Sequence, residues 1–453
     1  MEEQVKRSLT EGPIRKSIIF FALPMFLSSL FQQLYNTVDT IIVGHFLPDA
    51  LASVSSSGNL TFLMIGFFQG LAIGAGVVIS KYFGAKDYQN MKKAIHTDVA
   101  FGFLAGILLS VVGCLSVPFL LKLLATPEKI MPYSVEYFRM YCAGAFTIIL
   151  YNIFVGILQA VGDSKRPLYY LVFSSVLNVL LDLLFVGVFR WGVFSAALAT
   201  VISQGVSAFL CFIRLVTCKE IYRVDLKEIR FHKGMLGRIL RYGLPTGVQN
   251  SIIAIANLCV QRHINSFDNE DIIAGVGCYA KLEGFAFLPI TCFSMALTTF
   301  IGQNLGAKEY DRAKAGAKFC ILCSFALAEI VGLILFLFGP FFLSLFTKES
   351  AVIANGAKQM RIEAFFYGFL ALTYALSSIF RGSGRPYVPM IITLLCWCVI
   401  RVVALTLLLS VWHDIMFVYI IYPSTWILST ICLAILYIKS DWVHFFDKVE
   451  ERK

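Results

Sequence analysis

The sequence predicts an all-α integral membrane protein of twelve transmembrane helices, arranged as two parallel six-helix repeats, an N-lobe and a C-lobe, around a central cavity. Three observations predict it. Of 453 residues, 58% are hydrophobic and only 15% are charged, and the mean hydropathy is +0.77. A soluble chain of this length needs more polar surface than that. Runs of about 20 mostly apolar residues, the length that crosses a hydrocarbon core, recur from end to end. Short loop motifs also return at a nearly constant spacing in the two halves of the chain.

The first half begins with a polar segment, MEEQVKRSLTEGPIRKS, that lacks a small-residue cleavage site, so a cleaved signal peptide is not expected. Spans follow at roughly 14–43, 51–81, 94–121, 132–161, 167–189 and 193–215. A linker at 219–236 separates the N-lobe (1–218) from the C-lobe (237–453). The second half places spans at roughly 237–264, 272–303, 313–343, 352–382, 386–411 and 413–438.

The halves repeat. FFALPMFLSSLFQQ in span one answers RYGLPTGVQNS in span seven, with Pro24 and Pro245 221 residues apart. KYFGAKDYQNMKKA after span two returns as QNLGAKEYDRAKAG, 222 residues later. AVGDSKRPLY after span four returns as FRGSGRPYVP, about 219 residues later. Each half has an even number of spans, so both keep one orientation, a parallel repeat about an axis along the membrane normal.

The net charge of +10 does not imply nucleic acid. Lys and Arg concentrate in loops on the side of both termini, and the region Arg214 to Arg241 alone holds eight of them. That bias places both termini and the central linker in the cytoplasm. The twelve Cys, including Cys320–Cys323 and Cys396–Cys398, lie in apolar spans without partner ligands at metal spacing. No phosphate-binding GxxxxGK[ST], HExxH or GxSxG motif is present, so no catalytic residue and no cofactor is expected.

These motifs resemble the multidrug and toxic compound extrusion (MATE) family over nearly the whole chain. LPMFLSSLFQQLYNTVDTIIVGH, both GAK loops, QAVGDSKRP, and YAKLEGFAFLP followed by IGQNLGAK carry the resemblance. It is closest to the bacterial branch that keeps an acidic cation site in the N-lobe. The resemblance implies a multidrug efflux antiporter of the bacterial inner membrane, exchanging organic cations and lipophilic compounds for H⁺ or Na⁺. No soluble assembly domain is visible, and a monomer is expected.

An ionisable residue at the centre of a span costs about 2.5–3.5 kcal/mol on insertion scales, so each one needs a partner or a function. Asp39 lies in span one and Asp182 in span five, at similar depth. Tyr35 shares a helix face with Asp39, Gln32 with Asn36, and Asn178 with Asp182, each four residues apart. Asn152 lies on span four. A carboxylate among amides and a phenol in low dielectric responds to protons, and the same oxygens can ligate Na⁺. By resemblance these positions match the family's N-lobe coupling network. The alternative is a hydrogen-bonded plug that fixes helix packing. Pro24 removes a backbone hydrogen bond and can bend span one. By resemblance that bend follows the state of the nearby aspartate; a static kink is the other reading.

The second half differs at these places. Asp39 corresponds to Val260 and Asp182 to Arg401. Another branch of the family carries a glutamate about eight residues after the span-seven proline; here the position is Ile253. Glu283 matches a family motif position and is a secondary candidate with Arg401, an ion pair between Glu283 and Lys281 being the plainer reading. Glu329 and Arg401 are expected to pair, and Glu363 to be solvated at the outer end of span ten. Gly66, Gly70 and Gly74 recur at four-residue steps and permit close helix packing.

Two other functions fit a chain of many spans less well. A lipid-linked oligosaccharide flippase would need a more cationic cavity than Arg139 and Arg401 supply. A polytopic enzyme acting on lipid would need clustered His, Asp or Ser, and the six His are scattered.

Overall fold

In the computed structural model, residues 8–123, 126, 128 and 130–446 are described, the side chains of 48–63 and Leu123 excepted. The described residues are helical, with no strand among them. The first half comprises α1 (Ile14–Phe46), α2 (Pro48–Gly84), α3 (Tyr88–Leu123), α4 (Met131–Ala143), α5 (Ala145–Ala160), α6 (Lys165–Asp182) and α7 (Phe194–Thr217). The second comprises α8 (Lys233–Asn265), α9 (Glu270–Ala286), α10 (Leu288–Gly306), α11 (Tyr310–Ser344), α12 (Ser350–Glu363), α13 (Tyr367–Gly382), α14 (Tyr387–Thr393), α15 (Arg401–Val411) and α16 (Met416–Lys439).

These helices make twelve crossings among the described residues. Ten are long and apolar enough by themselves, and α4 with α5 forms an eleventh, bent by 45°. The bend falls at Gly144, where a Cβ would overlap the side chain of Val201. The twelfth, α8, has 33 residues, and Gln249, Asn250 and Ser251 lower its apolar character. Large apolar side chains such as Phe20, Leu115 and Ile438 are exposed, the arrangement that helices facing lipid require.

Packing sorts the chain into two compact units. One contains Leu27–Gly247, the other Leu9–Phe26 with residues 248–446. Both changeovers fall on the turn after a helix-borne proline, Pro24 in α1 and Pro245 in α8. In the first unit, α2, α3, α5 and α7 bury an apolar core that includes Ala75, Ile95, Phe154 and Ile157. Within that unit, Gly70 of α2 meets Gly247 of α8, and Gly74 meets Gly243, so closely that a Cβ at Gly70 or Gly74 would overlap backbone. The expected packing role is what the structure shows at Gly70 and Gly74. In the second unit, Arg312 donates to the carbonyls of Leu9, Glu11 and Gly12, and Leu9 N donates to Gln303 Oε1 at 2.9 Å.

Each half has a wide π-type turn next to one of the corresponding residues Asp182 and Arg401, but on opposite sides, Leu183–Val188 immediately after Asp182 and Leu394–Ile400 immediately before Arg401. Such turns leave the helix ladder out of step and frequently mark functional positions.

Candidate functional site: two buried acidic clusters

In the first unit, α1 and α6 bring two carboxyl groups together. Asp182 and Asn178 are fully buried, and the Asp39 and Asp182 carboxyls lie within hydrogen-bonding reach of each other. Asp39 Oδ1, both Asp182 oxygens and both polar side-chain atoms of Asn178 are buried without a hydrogen-bond partner among the described residues. A buried polar group left unsatisfied costs about 1–3 kcal/mol, and more if charged. Five such atoms in one place are therefore expensive unless something binds them. A proton shared by the carboxyls, or a small cation ligated by these oxygens, would satisfy them.

Tyr35, one turn before Asp39, is buried, and its phenol accepts from Gln204 Nε2 at 2.9 Å. Gln32 is within hydrogen-bonding reach of Tyr35. Tyr137 and Tyr141 of α4 stack with centroids 6.4 Å apart and interact electrostatically with Asp39. Asn36 is exposed, and its backbone carbonyl accepts from Thr40 Oγ1. Asn152 donates to Ile148 O at 2.8 Å and lines a small apolar cleft with Met64, Ile65 and Phe68. The structure thus gathers Asp39, Asp182, Tyr35, Asn178 and Gln32, and places Asn36 and Asn152 to the side. Sequence reasoning missed Gln204, Tyr137 and Tyr141. The signals were an amide within the apolar text TVISQGVSAF and a Tyr pair at helical spacing.

The second unit answers differently. Val260 is fully buried in an apolar cluster with Ile264 and Leu405. Arg401 is 2% exposed. Its Nε and Nη2 donate to Thr425 Oγ1 at 3.0 and 2.6 Å, and its guanidinium lies over the rings of Tyr422 and Trp397. The expected pair with Glu329 is not made among the described residues. Glu329 instead accepts from Gly368 N at 2.9 Å. The reason is a break in the tenth crossing at Ala364–Phe366, which frees the amides at the start of α13 for a cap from α11.

Glu363, expected to be solvated, is 1% exposed. Helical periodicity puts it on the same buried face of α12 as Val352, Gly356 and Gln359. Gln359 Nε2 donates to its Oε1 at 2.9 Å and Tyr279 to its Oε2 at 2.8 Å. The single phenolic proton of Tyr279 is then used, so Tyr367, at 2.8 Å, donates to Tyr279. Glu283, four residues after Tyr279, lies within hydrogen-bonding reach of Glu363. Its partners are in this cluster, and no ion pair with Lys281 forms among the described residues. Both crossings break here, between α9 and α10 at Phe287 and between α12 and α13.

A family model described as MatE matches residues 24–184 and 245–407. The chain belongs to the MatE family. Each matched segment begins at a helix-borne proline, one copy per half. "Probable multidrug resistance protein YoeA" of Bacillus subtilis is 27% identical over 441 residues, covering 95% of both chains. "Probable multidrug resistance protein YpnP" of the same organism is 27% identical over 412 residues, 89% of this chain and 90% of that one. A solved MOP superfamily transporter from Pyrococcus furiosus shares the fold, with a TM-score of 0.90 at 22% identity over 96% of this chain and 98% of that one. The two MatE segments of this chain are chemically unequal: in the first, Asp39 Oδ1 and both Asp182 oxygens have no partner among the described residues, and in the second both oxygens of Glu363 accept hydrogen bonds.

Proposed function

We propose that this MatE chain exports organic cationic and lipophilic compounds in exchange for H⁺ or Na⁺. The observation that carries the reading is the Asp39–Asp182 pair with Asn178, fully or largely buried on membrane-length helices, in which Asp39 Oδ1, both Asp182 oxygens and Asn178 Oδ1 have no partner among the described residues. The names of the YoeA and YpnP relatives support the substrate class. Alternating access by the two lobes, 1–218 and 237–453, avoids carrying a charge through lipid. A proton or Na⁺ entering between the carboxyls neutralises them, and a bound organic cation loses its counter-charge and leaves. Substrate and ion thus compete for one conformation of the N-lobe. Pro24, fifteen residues before Asp39 on α1, is where that helix can bend as the pair changes state. The reading places a monomer in the bacterial cytoplasmic membrane, with both termini cytoplasmic.

Glu283 and Arg401 are secondary participants. Two broken helices meeting at buried charges is an arrangement transporters use to hold ions, but here Tyr279 and Gln359 already donate to both oxygens of Glu363.

The test is ethidium transport by the purified protein in proteoliposomes, under an imposed pH gradient or an imposed sodium gradient. Transport should follow one gradient and collapse when it is dissipated. Transport that persists with both abolished overturns the antiport reading. Glu283→Gln should lower the rate while leaving the same gradient in control.

A further inference from the structure

The last helices of the two halves end alike, but the chain takes a different course beyond each end. Helix α7 stops at Thr217 and α16 at Lys439, each followed by an extended residue whose amide closes the final turn, Cys218 onto Arg214 O and Ser440 onto Leu436 O. In the first unit the chain then folds back over the start of α3. Val224 N donates to Leu215 O at 2.9 Å, and Asp225 N donates to His96 Nε2 at 2.9 Å. Leu215, His96 and Val99 are buried as a result.

In the second unit the corresponding positions are Tyr437, Lys318 and Ile321, and they line an open groove of about 590 Å³ between the start of α11 and the end of α16. The buried His96 has become an exposed lysine. Lys314, Lys318 and Leu322 stand one turn apart along α11, so the wall passes from cationic to apolar along the helix. Leu322 is 61% and Ile438 80% exposed. Tyr437 and Trp442 stack at 5.7 Å, the amphipathic rings that sit at headgroup level. The Ser440 hydroxyl is buried in the groove wall with no hydrogen-bond partner among the described residues. Two acids are nearby: Asp441 lines the groove and holds His444 Nδ1 at 2.8 Å, and Asp311 lies 3.9 Å from Lys314.

We propose that this groove binds one anionic phospholipid from the leaflet on the GAK-loop side. Lys314 and Lys318 take the phosphate, Ser440 donates to a headgroup oxygen, and an acyl chain runs along Leu322 and Ile438. The first half fills the equivalent space with its own linker, and the second half leaves it to the bilayer. The proposal does not depend on the coupling ion or on the exported substrate.

The test is native mass spectrometry of the full-length, detergent-purified protein titrated with dioleoylphosphatidylglycerol or with dioleoylphosphatidylcholine. The wild type should retain phosphatidylglycerol in preference to phosphatidylcholine. Lys314→Gln with Lys318→Gln should weaken phosphatidylglycerol retention about tenfold or more, since both lysines attract the anionic headgroup, and should leave phosphatidylcholine unchanged. Lys227→Gln with Arg230→Gln, in the first unit's linker, should change neither. Ile438→Trp, which fills the apolar floor with both lysines intact, should displace the lipid as well. Equal retention of the two lipids by the wild type overturns the proposal. So does an equal loss in the linker variant, or binding that arises only when the chain ends at Phe446.

Discussion

Asp39→Asn should reduce ethidium efflux from cells to the background of cells lacking the protein, a loss of about tenfold or more, and Asp182→Asn should do the same. Asparagine keeps the size and polarity of aspartate and removes only the ability to carry a proton or to neutralise a cation. The same substitution should leave the fold intact or raise its Tm. Asp39 Oδ1 and both Asp182 oxygens have no donor among the described residues, and an amide beside the remaining carboxyl supplies one. Opposite signs for activity and stability separate the coupling role from a packing plug. A plug predicts little change in efflux from so conservative a substitution. Efflux by Asp39→Asn equal to wild type, at matched expression, would sink the coupling assignment.

Gly74→Val should prevent the protein from accumulating in folded form. A Cβ at residue 74 would overlap the backbone of Gly243, and one at residue 70 that of Gly247. Backbone cannot move aside as the end of a flexible side chain can, so the helices must separate and give up the packing that holds α2 on α8. Overpacking in a close contact costs about 1–3 kcal/mol, occasionally more, and this contact repeats over two turns. Gly234→Val and Gly277→Val provide the comparison, since a Cβ at either meets nothing within 4 Å. Fluorescence-detected size-exclusion chromatography reads the outcome. A monodisperse peak should be retained at 234 and 277 and lost at 74. A normal peak for Gly74→Val would contradict the close approach.

The fold was legible because membrane solvation writes it in long apolar runs and because the chain says most things twice. The repeat of proline and GAK loops is enough to locate both halves. The Asp39–Asp182 pair was legible on similar grounds: an acid in an apolar span is conspicuous, and a shared helix face links Tyr35 to Asp39 and Asn178 to Asp182. Pairing between helices was not legible. Glu329 and Arg401 look like natural partners by charge, yet each is satisfied by a neutral group, a backbone amide and a threonine hydroxyl, because helix breaks and hydroxyls supply partners that a tally of charges omits. Glu363 was misplaced because it falls near the outer end of span ten, where solvent is the natural partner of a charge. Only the breaks in the eighth and tenth crossings show that its side of α12 turns inward. Gln204 was overlooked because an amide carries no charge, although it bonds directly to the phenol beside Asp39.

The central claim is that substrate and coupling ion compete for the Asp39–Asp182 pair. Cation release on substrate binding tests it most directly. Ethidium is added to the purified protein in weakly buffered solution, with protons followed by an indicator dye and sodium by an electrode. Wild-type protein should release one of these cations in proportion to the ethidium it binds, and the Asp39→Asn, Asp182→Asn double variant should release neither. Equal release from the double variant would contradict the account.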